Sequence, residues 1–94
     1  MSTEKSDHAS KHWTVNVSID EHDGKTRARA QLRWRNQESV GVGLSRLDPT
    51  DRDVAEIGDE LAVGRALSDL ARRLMAATAK DIEAVTNRPV ASLH

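Results

Sequence analysis

The segment KTRARAQLRWR, residues 25–35, alternates with a period of two along its whole length. Thr26, Ala28, Ala30, Leu32 and Trp34 fall on one parity, and Lys25, Arg27, Arg29, Gln31, Arg33 and Arg35 on the other. Successive side chains of a β-strand point to opposite faces, so this pattern predicts a strand with one dry face and one cationic face. A helix would spread the same cations around its whole circumference. The chain must therefore bury one side of a sheet and leave the other open.

The flanking segments supply that sheet. Trp13, Val15, Val17 and Ile19 alternate with Thr14, Asn16 and Ser18 and predict a first strand. DEHDG, residues 20–24, reads as a four- or five-residue hairpin loop closed by Gly24. NQE, residues 36–38, reads as a second tight connection. Val40, Val42 and Leu44 then alternate with Ser39, Gly41, Gly43 and Ser45 as a third strand. Two glycines on one face mark a place where something approaches the backbone closely, and here they are expected to lie beside the arginines. Three strands with short loops predict an antiparallel meander whose apolar face needs a cover.

The cover follows in the chain. LDPTDRDVAE carries Pro49 in a connection, and Asp53 with Glu56 three residues later reads as a capping box. Ile57, Leu61, Leu67, Leu70, Leu74, Met75 and Thr78 then recur at helical spacing and predict one long helix packed on the sheet. Gly64, Ser68 and Ala71 form a small-residue stripe, read as close packing against the same sheet. A bend at residues 78–80 and a short second helix are expected, stopped before Pro89. The predicted fold class is α+β, in the order βββαα. Residues 1–10 read as a flexible tail, 11–90 as one domain and 91–94 as a second tail.

With 94 residues and a formal net charge of −1, the chain is one small domain whose monomer would be marginal, so a homodimer is expected. The five cations Lys25, Arg27, Arg29, Arg33 and Arg35 contribute +5 with no acid among them, so the remainder sums to −6. There is no cysteine, which removes disulfides, thiolate chemistry and Cys-based metal sites and fits a cytoplasmic chain. No window approaches a membrane span of about 20 apolar residues.

Enzymatic chemistry finds little support. His8, His12, His22 and His94 are scattered without metal-ligand spacing. Asp48, Asp51 and Asp53 resemble the start of a calcium loop, but the glycine of its sixth position is replaced. GVGLS lacks the Lys and Ser/Thr of a phosphate loop. No catalytic residue, cofactor or small-molecule substrate is expected. The arginine face remains, suited to phosphate oxygens or a carboxylate-rich partner. Trp13 and Trp34 share the apolar parity, so both are expected in the core, and recognition of RNA would be led by phosphates rather than base stacking. The competing reading is a protein-interaction or structural dimer module that buries the arginines in its own interface or against an acidic protein.

HWTVNVSIDEHDGKTRARAQLRWR, VGVGLSRLDPTDRDVAEIGDELAVGRALSDLARRLM and DIEAVTNRPV resemble a family of small actinobacterial proteins of unknown function associated with hypoxia and dormancy. The likeness covers roughly residues 12 to 93. It implies a dimeric sheet-and-helix protein similar to part of the ribosome hibernation-promoting factors, with a role in binding the ribosome and quieting translation. The chain departs from those factors in having no helix between its first two strands and an acidic start to its main helix, Asp59 and Glu60. The ribosomal RNA contacts expected from the residues themselves are Lys25, Arg27, Arg29, Arg33 and Arg35.

Overall fold

A computed structural model describes residues 9–46 and 54–86 of the chain. β1 (Val15–His22), β2 (Lys25–Trp34) and β3 (Gln37–Arg46) form one antiparallel sheet in sequence order, and α1 (Val54–Thr86) follows. This is the α+β meander with a helical cover that the two periodicities predict.

Both hairpins close more tightly than the sequence reading had them. β1 continues to His22, which pairs with Lys25, so only Asp23 and Gly24 remain in the first turn. Their φ angles are 55° and 72°. The second turn is Arg35 and Asn36, at 49° and 64°, one residue earlier than NQE. Two consecutive positive φ values make both turns type I′, whose twist matches that of the flanking strands. Gly24 adopts this conformation without strain, whereas Arg35 is held in it by the pairing on either side.

α1 lies over β2 and β3 and barely reaches β1. The buried core is Ala28, Ala30 and Leu32 from β2 with Ala62, Ala66 and Leu70 from the helix, and Trp34, Val63 and Leu74 pack against it. The helical members recur every four residues, a stripe continued upward by the buried Gly58. Alanine on both layers brings the helix axis close to the sheet, and that closeness decides the orientation of β3. Gly41 and Gly43 are buried beneath α1, with Val40, Val42 and Leu44 on the opposite face. A Cβ at Gly41 would lie 2.2 Å from the Ala66 carbonyl oxygen, and one at Gly43 2.1 Å from that of Ala62. The glycines do mark a close backbone approach, but by the chain's own helix, and they do not border the arginine row.

The helical expectations need two further corrections. Ile57, Leu61, Leu67 and Met75 are exposed, and Gly64, Ser68 and Ala71 turn away from the sheet, because the stripe that touches β2 and β3 is the alanine one. The helix also runs through residues 78–80 without a break. Thr78 donates its hydroxyl to the Leu74 carbonyl at 2.9 Å, and Thr86 does the same to Ile82 at 2.8 Å, so both threonines are satisfied within the helix. Asp48, Pro49, Asp51, the Asp53 cap, Pro89 and both tails beyond residues 9–86 lie outside the described residues.

Side chains of α1 also close the outer edge of β3. In this register Val42 and Leu44 direct their backbone groups away from β2. Asp69 accepts the Val42 N–H at 3.0 Å, and Arg65 donates to the Leu44 carbonyl at 2.6 Å. Arg72 and Arg73 in turn hold Asp69 at 2.7 and 3.0 Å. Two of the outward backbone groups of β3 are occupied in this way, which interrupts the ladder that the edge would offer to another chain. Trp13 stacks on Trp34 with ring centroids 5.8 Å apart, but it remains 51 % exposed, so it caps the core end and is not a core residue.

Candidate nucleic-acid interface

Lys25, Arg27, Arg29 and Arg33 stand exposed at alternate positions of β2, on the face that α1 leaves open. The register places their neighbours. Lys25 lies between His22 and Arg46, Arg27 between Asp20 and Leu44, and Arg29 between Ser18 and Val42. Arg33 lies opposite Glu38, with its Nε 3.9 Å from the carboxylate. Gln31 also donates to Glu38. On this face five cations, Arg46 included, meet two carboxylates, Asp20 and Glu38, leaving a formal surplus of three.

The four strand cations are brought together as expected, while Arg35 is not. Its place in the β2–β3 turn takes it out of the row, because the hairpin closes with Trp34 and Gln37 paired. Arg46 takes over at the other end. The alternation of the third strand reads only as far as Ser45, with the connection LDPTDRDVAE after it, although pairing of Arg46 with Lys25 follows directly once the hairpin is closed at Arg35 and Asn36. Lys25, Arg46 and Arg65 line a cleft of 290 Å³ with Leu44 and Ser45, so a helix arginine joins two strand cations around one opening. Periodicity alone gives no signal for Arg65, which belongs to another element.

The face is also less polar than a row of arginines flanked by glycine would be. Val40, Val42 and Leu44 form an aliphatic column along one side of it, and Leu44 is 57 % exposed. Asn16, Ser18 and Asp20 form the polar column along the other. A guanidinium row between them suits a ligand with repeated anionic oxygens and room for apolar contact. Among the described residues no group of three or more His, Asp or Glu side chains is arranged to hold a metal ion. No helix among them is long and apolar enough to cross a membrane.

Residues 11–91 match the family model described as Rv2632c-like, and the chain belongs to that family. It is 60 % identical, over the full length of both chains, to an uncharacterized protein of Mycobacterium bovis, Mb1767. It is 57 % identical to the uncharacterized Rv2632c of Mycobacterium tuberculosis H37Rv, across 95 % of this chain and 96 % of that one. The crystal structure of Rv2632c superposes with a TM-score of 0.81, covering 89 % of this chain and all of the other.

Proposed function

We propose that this member of the Rv2632c-like family is a non-enzymatic protein that binds RNA phosphates through the open face of its sheet. The observation that carries the reading is the row Lys25, Arg27, Arg29 and Arg33, interrupted only by the neutral Gln31, extended by Arg46 and opposed by two carboxylates, Asp20 and Glu38. Arginine forks bind phosphate bidentately, and adjacent forks on a rigid strand follow a backbone without reading bases. The resemblance to dormancy-associated proteins and to ribosome hibernation-promoting factors makes ribosomal RNA the natural target and quieted translation in non-growing cells the result. Co-sedimentation with ribosomes at low and high salt tests this reading. Association should weaken steeply with salt, as counterion release requires, and the double substitution Arg29→Glu with Arg33→Glu should abolish it. No association at either salt, or association indifferent to the double substitution, would overturn it.

A second reading has its own support in the aliphatic column. Val40, Val42 and Leu44 beside the arginines also suit an acidic protein segment with apolar anchors. The two readings separate at Leu44. Replacement by Ser should leave phosphate-led RNA binding nearly unchanged and should weaken a protein complex by about tenfold, the usual scale for one exposed apolar contact.

A further inference from the structure

A seam along the outward side of α1, from Ile57 to Val85, holds no charged residue. Ile57, Leu61, Met75, Ile82 and Val85 are exposed on it, the last at 85 %. Gly64, Ser68, Ala71 and Thr78 fill the positions between them and are exposed as well. The spacing of these residues alternates strictly between four and three, the seven-residue repeat of a helix seam. In a chain that is 31 % charged, the water-facing side of a helix is where charge belongs, so a continuous uncharged seam there marks a contact surface.

We infer that the occupant of this seam is the α1 helix of a second copy of the chain, running antiparallel. The seam is complementary to itself in that direction. Aligning Ser68 of one helix with Ala71 of the other sets Gly64 opposite Met75, Leu61 opposite Thr78 and Ile57 opposite Ile82. The most flexible side chain then meets the only residue without one, and Thr78 presents its methyl because its hydroxyl is turned back to Leu74. A parallel pair would set Gly64 against Gly64 and leave voids at the centre.

Charge selects the same direction. Residues 54–69 hold Glu56, Asp59, Glu60 and Asp69 against Arg65, a formal −3. Residues 70–86 hold Arg72, Arg73 and Lys80 against Asp81 and Glu83, a formal +1. Antiparallel pairing brings these halves together, and parallel pairing would stack like on like. A seam of roughly 30 residues extends about 45 Å and offers on the order of 700–800 Å² a side, one partner's share of a standard interface. The two sheets would then lie outermost, with their arginine rows on opposite surfaces of the dimer, so the pairing does not depend on what those rows bind.

Equilibrium sedimentation of the full chain, with reactive-cysteine scanning, tests the proposal, and the absence of native cysteine makes the scan clean. A dimer is expected. Ala71→Cys should join to itself through a short bismaleimide, since the two copies of that position lie next to the two-fold axis. Ile57→Cys should not, because its two copies would be about 37 Å apart along the helices. Together with Ile82→Cys it should. Ala71→Glu should keep its helical circular dichroism and weaken the dimer at least about 100-fold by burying a charge. A monomer at all concentrations, self-linking of Ile57→Cys alone, or a dimer unaffected by Ala71→Glu would each overturn the proposal, the last pointing to another surface such as the free edge of β1.

Discussion

Asp69 accepts the backbone N–H of Val42 at 3.0 Å, joining the middle of α1 to the outer edge of β3. That hydrogen bond is the foremost reason the Asp69 carboxyl is held below the usual aspartate range, followed by the one from Arg73, with burial opposing both. A folded-state pKa below the unfolded one contributes stability that is present above the unfolded value, about 3.9, and is lost as pH falls through the folded one. Asp69→Asn removes this dependence. In urea denaturation the stability gap between wild type and Asp69→Asn should be full near neutrality and should narrow progressively below about pH 4. A gap of constant size would mean that the carboxylate charge does no work at this edge.

Gly43 and Gly24 contrast two uses of glycine. At Gly43 an added methyl meets backbone atoms of Ala62 and Ala66 at 2.1 and 2.4 Å, and backbone cannot rotate aside. Gly43→Ala should therefore cost at least ~2 kcal/mol by forcing helix and sheet apart. At Gly24 nothing lies within 4 Å, and the cost of Gly24→Ala is that of a left-handed φ, about 1–2 kcal/mol. Chemical denaturation of the two variants gives the order directly.

Thr26 is fully buried, and its hydroxyl has no hydrogen-bond partner, although its cross-strand neighbour Ser45 donates to the Gly58 carbonyl at 2.8 Å. Replacing Thr26 by Val keeps the branched shape and removes the unsatisfied polar atom. The variant should gain about 1 kcal/mol, read as a higher urea midpoint at unchanged m-value. A loss of similar size would show that the hydroxyl is bonded in solution.

Arg35 separates turn from surface. With a φ of 49° it sits where asparagine is favoured, so Arg35→Asn should stabilise the hairpin by about 0.5–1 kcal/mol. Because it lies outside the row, the slope of RNA affinity against salt should stay as in wild type, whereas Arg29→Glu should reduce it. A slope reduced equally by both would return Arg35 to the contact surface.

The alternation from Lys25 to Trp34 was sufficient to give β2, its dry face and the exposed cations, since a period of two has only one structural solution. Val15, Val17 and Ile19 likewise share the parity of that face, yet they remain 38–44 % exposed because α1 is displaced toward β3. β3 could not be oriented from its own residues. Hydrophobicity favours burying Val40, Val42 and Leu44, but the helix approaches so closely that only glycine and serine fit beneath it.

Sequence by itself determined the element order, the cationic strand face and the need for a helical cover, because each follows from periodicity within one segment. Tertiary structure alone decided which side of β3 is buried, which stripe of α1 meets the sheet and that Arg46 and Arg65 converge near Lys25. Those outcomes depend on the distance between layers, and that distance is set jointly by alanines and glycines from three different elements.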